Sequence, residues 1–455
     1  MRFSTLVLAA SLSLLATTGG MAEEELVCGS NGPVMQDGSV LAPPEGAHIF
    51  NWLAHGVFRD REQDQLRDGY VISLEKFKRS ESDVPDDHHR VHLLHHADLQ
   101  ARGLIDKATA RTRNRWTQRA FDDKKPLVVT HITRFQDRSS CTVMNMYGPT
   151  DMPMCQTGVQ APKTYDAGMT ALQDDFTRAL GDSIRSGKFT HIFFMAMGWN
   201  NDQRVSLCRY RKIVDEVTAA VAREGETIRP LIVGMTWPSS WNAASTSRIG
   251  FTLGHIGSVF NKATDSDEAG LLYGNLILNR LIPTANSAKL PVVVVGHSFG
   301  TRLAGQALFQ RDLLREGPIG DPAELALFLQ PAHSVFRYDP DRRGREGHPF
   351  GAVRDIATRV VVTSSPKDSA NPWAFWTRYL GGKGGLRWAA KFSETYHDLA
   401  VQFQAGVTPP RVEKLDTRVG VVNLINAEGF VEGHSDILDE EIGAVFARLL
   451  LQHAR

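Results

Sequence analysis

The sequence predicts an α/β fold: a mostly parallel sheet flanked by helices, preceded by an N-terminal extension. Three observations carry that expectation. Short, β-branched apolar runs alternate with stretches of helical spacing from Tyr165 to the C-terminus, the pattern of βαβ units. Several of those runs are apolar at consecutive positions, as strands covered on both faces are. The four valines at 292–295 lead through a small-residue turn straight into another apolar helix.

Along the chain, residues 1–22 come first. Met1-Arg2 gives a basic start, Leu6 to Ala16 is an apolar stretch too short to span a bilayer, and small residues follow up to Ala22. This is the layout of a secretory signal peptide cut before Glu23, so export and no membrane anchor are expected. Residues 23–163 form the extension. Gly32-Pro33 and Pro43-Pro44 punctuate it, and the alternating segments Leu127 to Phe135 and Cys141 to Tyr147 predict a β-hairpin across a turn at 136–140. His88, His92, His95 and His96 fall at i, i+4, i+7 and i+8, which would put several imidazoles on one helix face. A polar helix face is expected there rather than a metal site.

Residues 164–455 carry the alternation. Helical spacing covers Tyr165 to Phe189, Val205 to Arg223, Glu268 to Leu281, Thr301 to Arg315 and Ile437 to Gln452. Apolar runs fall at Thr190 to Met197, Pro230 to Trp237, Leu290 to Val295, Leu325 to Gln330, Arg359 to Thr363 and Val419 to Ile425. The chain has 455 residues, 42% apolar and 22% charged, enough for a sizeable core. Fifty-one basic residues balance fifty-one acidic ones, which removes the electrostatic reason to expect nucleic acid or an anionic membrane as main partner. Four cysteines in an exported chain allow three disulfide pairings. Cys141 and Cys155 flank a turn-rich segment and are expected to pair, leaving Cys28 with Cys208.

The chemistry centres on Gly296-His297-Ser298-Phe299-Gly300, a G-x-S-x-G pattern between a strand and a helix. A serine on so sharp a turn is crowded by its neighbours, and glycines at Gly296 and Gly300 relieve the crowding and leave Oγ exposed. Such a serine needs a base, and the base an orienting carboxylate. His434 follows the last apolar run and precedes the closing helix, so it is the expected base. His397, read as helical, and His333, after an earlier strand, are expected to be structural. Asp368 ends the run at 359–363, at the edge where catalytic groups of parallel sheets collect, and is the preferred acid over Asp339 and Asp341. For the oxyanion, the N–H of Phe299 and that of Trp199, in Gly198-Trp199-Asn200-Asn201, are the expected donors. That segment also reads as a turn with an Asn-rich helix start.

Together, Met197-Gly-Trp-Asn-Asn201, Thr236-Trp-Pro-Ser239, Gly296-His-Ser-Phe-Gly300, Ser364-Ser-Pro-Lys-Asp368 and His434 resemble the α/β-hydrolase superfamily. More narrowly, they are similar to a bacterial branch with a Gly-aromatic-Asn-Asn oxyanion loop and a Trp-Pro-Ser turn. The resemblance runs from about Thr190 to the C-terminus. It implies an esterase- or lipase-like acyl hydrolase with Ser298, Asp368 and His434 as triad, residues 164–455 as catalytic domain, and no metal or organic cofactor. One departure is visible: the family commonly has His-Gly in the oxyanion loop, where this chain has Met197-Gly198. A backbone donor survives the change, but a structural hydrogen bond from that histidine would be lost.

A small-molecule or lipid-like acyl ester is the expected substrate. The aromatics of 371–380, the glycines of 381–385 and Trp388 read equally as a lid or as packing of an inserted helix; Trp237, Trp241 and Phe251 would add to an apolar pocket. Three rival readings stand beside the esterase: an acyltransferase with the same triad, a catalytically silent binding protein of the cell envelope, and a metal protein built on the histidine cluster.

Overall fold

A computed structural model of the chain describes residue 28, residues 66–76, and residues 127–454 except 138, 148–151, 163, 200, 240–261, 339–349, 352 and 369–378. The strands are β1 (Asp68–Lys76), β2 (Leu127–Gln136), β3 (Ser139–Asn145), β4 (Met154–Gln160), β5 (His191–Ala196), β6 (Pro230–Thr236), β7 (Val292–His297), β8 (Leu325–Leu329), β9 (Arg359–Ser364), β10 (Tyr396–Asp398) and β11 (Val422–Asn426). They join in one sheet in the order β10-β11-β9-β8-β7-β5-β6-β1-β2-β3-β4. From β10 across to β1 every neighbouring pair is parallel. β2 is antiparallel to both β1 and β3, and β4 runs parallel to β3.

The runs are continuously apolar because both faces are covered. In β7, Val292 and Val294 enter one core cluster while Val293 and Val295 enter the other, the period-two alternation of a strand. The first cluster holds α1 (Tyr165–Thr170), α2 (Thr177–Arg185), the helical stretch 262–285 and α5 (Gly300–Phe309), with α4 (Ile282–Ala285) closing that stretch. On the opposite face lie α3 (Gln203–Arg223) and α7 (Glu440–His453), and α6 (Lys383–Ala389) sits near the end of β9. Side chains cap the helices as their sequences invite: Asp202 accepts from Val205 N and Asp439 from Ile442 N, both at 2.8 Å. This is the mostly parallel sheet flanked by helices that the sequence predicts.

Several details differ from the sequence reading. The hairpin at 127–147 forms with a tighter turn, and it continues the main sheet instead of standing apart from it. Its link is β1, which the sequence reading missed. β1 is buried along nearly its whole length although it carries Asp68, Ser73 and Glu75, and those polar residues interrupt the apolar run that would have announced it. Tertiary partners make them tolerable: Asp68 accepts from Arg229, and Ser73 accepts from Gln203 and Thr236. The sheet therefore runs unbroken through the boundary expected at 163/164. His397, read as helical, lies on β10, whose three residues are too short to show a period. The helix expected over Tyr165 to Phe189 ends at Arg185 and passes through a π-helical segment at Ala171–Phe176.

Two disulfides join Cys28 to Cys208 and Cys141 to Cys155, the pairing expected. The first fastens the N-terminal part to α3 and the second fastens β4 to β3. No helix among the described residues is long and apolar enough to cross a membrane. Residues 1–22, the histidines at 88–96, Asn200, Trp241, Phe251, Asp339, Asp341 and the aromatics at 371–378 lie outside the described residues.

Candidate active site

β7 ends at His297, Ser298 makes the turn, and α5 starts at Gly300. Ser298 has φ of +54°, a left-handed conformation that a non-glycine residue holds only when its surroundings enforce it. Here they do. Ser298 N donates to Leu329 O at 3.1 Å, while its carbonyl accepts from Thr301 N at 3.1 Å, Ala332 N at 3.2 Å and the Thr301 hydroxyl at 2.5 Å. The two motif glycines serve different contacts. A Cβ on Gly296 would stand 2.9 Å from Thr301 Cα, inside the turn, as expected. On Gly300 it would stand 2.1 Å from Ala196 O, so that glycine admits the end of the neighbouring strand β5.

The three sequence-predicted triad residues come together. His434 Nε2 is 2.8 Å from Ser298 Oγ, and His434 Nδ1 is 2.8 Å from Asp368 Oδ2. A carboxylate only accepts, so Nδ1 carries the proton and Nε2 is free to accept from the serine. The Asp368 side chain is fully buried, whereas His434 is 15% exposed. Two contacts hold the acid loop against the histidine loop: Ser365 donates to Val431 O at 2.8 Å, and Lys367 pairs with Glu432.

Sequence reasoning missed the groups behind this triad. His297 donates from Nε2 to the carbonyl of His434 at 2.9 Å, and its ring lies 5.0 Å from that of His434. Its Nδ1 then faces Arg209 at 3.5 Å. Burial holds His297 well below the usual imidazole range, and the His434 and Arg209 charges add to that, so it stays neutral in this tautomer. A second chain reaches Ser298 from below. Because Thr301 gives its proton to the Ser298 carbonyl, His333 Nδ1 must donate to Thr301 Oγ1 (2.9 Å), leaving Nε2 to accept from the Tyr338 hydroxyl at 3.1 Å. Burial, then Arg337 and Arg302, hold His333 well below its ordinary value.

Arg302, one turn after the serine, belongs to a buried ion network. Asp267 binds Arg302 at 2.6 Å and Arg337 through both oxygens at 2.8 and 2.9 Å, with Gln306 at 3.3 Å. Burial alone would push Asp267 up; the two guanidinium groups more than offset it and hold the carboxyl well below the usual range. No local pattern announces these residues, which meet from three separate segments. Only His297, inside the serine motif, carried a signal.

Gly198 lies directly against the serine. A Cβ there would stand 2.4 Å from Ser298 Cβ and 2.9 Å from Oγ, so only glycine lets this loop approach so closely. Trp199 is half-buried and packs on the first core cluster. Asn201 Nδ2 donates to Gly198 O at 3.1 Å and to Trp199 O at 3.0 Å, and Trp237 Nε1 donates to Met197 O at 2.9 Å. Of the residues read as lid or packing, Trp388 stacks on Phe392 and meets Phe336 edge-on, partly buried against the first core cluster.

Comparisons add little beyond the architecture. No protein-family model matches the chain, and no curated protein matches it. Several solved structures resemble it. One, from Xanthomonas campestris pv. campestris, is assigned to the α/β superfamily of hydrolases; it is 15% identical with a TM-score of 0.26, over 58% of this chain and 99% of its own. A thermophilic esterase from Thermogutta terrifontis, with propionate bound, is 14% identical at TM-score 0.28, over 58% and 84%. A phospholipase from Legionella pneumophila is 13% identical at TM-score 0.28, over 58% and 57%. At these values none of the three bears on reaction or substrate.

Proposed function

We propose that this protein is a serine hydrolase that cleaves carboxylic esters of small or lipid-like acyl groups. The observation that carries the reading is the unbroken contact chain from buried Asp368 through His434 to Ser298, whose backbone is held in a left-handed turn. Ser298 Oγ attacks the acyl carbonyl while His434 Nε2 takes its proton. Asp368 keeps the ring in the tautomer that can accept and stabilises the imidazolium that forms. The N–H groups of Phe299 and Trp199 receive the oxyanion. Phe299 suits the role because the first N–H groups of a helix have no partner within it. His434 then protonates the leaving alcohol. Water, activated by the same ring, clears the acyl-enzyme.

No metal or organic cofactor enters this scheme. The protein works outside the reducing cytosol, a reading supported by its two disulfides and the secretory pattern of residues 1–22. A fluorophosphonate probe should label the wild-type protein and not Ser298→Ala, and ester turnover should fall on the order of 10⁶-fold in that variant. Absence of labelling in a folded wild-type sample would sink the hydrolase reading in favour of a silent binding protein. Chromogenic esters of varied chain length, with and without alcohol acceptors, then separate hydrolysis from acyl transfer.

A further inference from the structure

The Trp-Pro-Ser turn and Asn201 have no part in the scheme so far, yet both fasten the loop that touches the serine. Each peptide unit is planar and trans, so its C=O and N–H point opposite ways and fixing one fixes the other. The unit that carries the Trp199 N–H carries the Gly198 carbonyl, and Asn201 Nδ2 holds that carbonyl at 3.1 Å. Its neighbour, carrying the Gly198 N–H, has the Met197 carbonyl, and the Trp237 indole holds that one at 2.9 Å. Ser239 in turn donates to the Asn201 carbonyl, and Lys262, paired with Asp265 at 3.4 Å, donates to the carbonyl of Pro238. Trp237, Ser239 and Asn201 are all buried.

We propose that Asn201 and Trp237 are positioning residues that set the two peptide planes of the oxyanion loop and aim the Trp199 N–H at the developing oxyanion. This inference deepens the serine-hydrolase reading and rests on it. A pre-aimed donor stabilises the charge that forms in the transition state and contributes little to the neutral ester beforehand. The effect of losing it belongs to kcat rather than KM.

The test uses Asn201→Asp, which turns the donor into an acceptor facing two carbonyls, and Trp237→Phe, which keeps a ring and removes the N–H. Ser239→Ala serves as a milder third variant should either fail to fold. Two readouts are compared: steady-state hydrolysis of a chromogenic ester, and inhibition by an alkylboronic acid, whose boron bonds to Ser298 Oγ to form a tetrahedral anion. The expected result is a fall in kcat of about 10- to 10²-fold, the range for a misplaced catalytic group, with KM held within about twofold. Boronate affinity should weaken in parallel. Wild-type kcat in folded variants, or a loss confined to KM with boronate affinity unchanged, overturns the inference. Failure of the wild-type protein to take fluorophosphonate removes the hydrolase reading as well, whereas a labelled wild type with unaffected variants removes this inference alone.

Discussion

At the scale of single residues, the site depends on groups too small or too well placed to be exchanged. Gly198 is the sharpest case. A methyl group there would overlap Ser298 Cβ, so either the loop or the strained turn must move. Gly198→Ala is therefore expected to leave the circular dichroism spectrum native while cutting ester kcat by at least about 10²-fold, because a shift near 1 Å suffices for that. Wild-type turnover would show that the serine turn tolerates the displacement. His297 and His333 belong to this scale too. Both are buried and neutral, and each has its tautomer fixed by a partner that can only accept or has already given its proton. His297 holds the carbonyl of His434 directly, and His333 holds that of Ser298 through the Thr301 hydroxyl, so both fix parts of the site that side-chain lists omit.

At the scale of elements, the question is what locks the serine-bearing helix α5 in place. Asp267 on the stretch 262–285 binds Arg302 on α5 and Arg337 after β8, tying three segments through one carboxylate. Asp267→Asn leaves two buried guanidinium groups without their counter-charge, and urea unfolding should show a loss of about 3–5 kcal/mol. A change under about 1 kcal/mol would mean the arginines find other partners. The helix that follows His434 brings a pH dependence. Burial pushes the Asp439 carboxyl up to about 7 against its bond from Ile442 N, and the Asp436 and Glu441 charges add to the rise. Its folded value thus lies above its unfolded one, near 3.8. The stability linked to its protonation is complete below that value and is lost as pH rises through about 7. Asp439→Asn keeps a helix cap and removes the titration. The variant's melting temperature should therefore fall less than that of the wild type between pH 4 and pH 8, measured by differential scanning calorimetry. Identical pH profiles would place the proton elsewhere.

At the scale of the whole molecule, β1 to β4 extend the parallel sheet and cover an edge that must not be bare. β6 is buried along its full length with β1 as its outer neighbour. Removing the residues before 164 would expose that edge as an unpaired apolar strand and also break the Cys28–Cys208 link to α3. Such a chain is expected to be insoluble when expressed in an oxidising compartment, read by fractionation and size exclusion. A soluble, active fragment would show that residues 164–455 fold as a domain without the extension. The resemblance begins near Thr190, yet the core continues well before it.

Much of this was legible from residues alone, and the parts that were share a cause. The runs at β5 to β9 are covered on both faces, so burial writes itself into consecutive positions. Ser298 follows β7, Asp368 the loop after β9 and His434 the loop after β11, and the strand ends of a parallel sheet meet at one edge. β1 escaped because its buried polar groups are satisfied only by partners far along the chain, such as Arg229, Gln203 and Thr236. For the same reason Asp267 and Arg302 looked ordinary, and the donor role of Trp237 toward Met197 O did not show. The sequence by itself determined the alternation of strand and helix, the serine turn, and the placing of Asp368 and His434 after later strands. Tertiary structure alone decided which carbonyls the buried donors hold, because a hydrogen bond between distant segments leaves no period in either one.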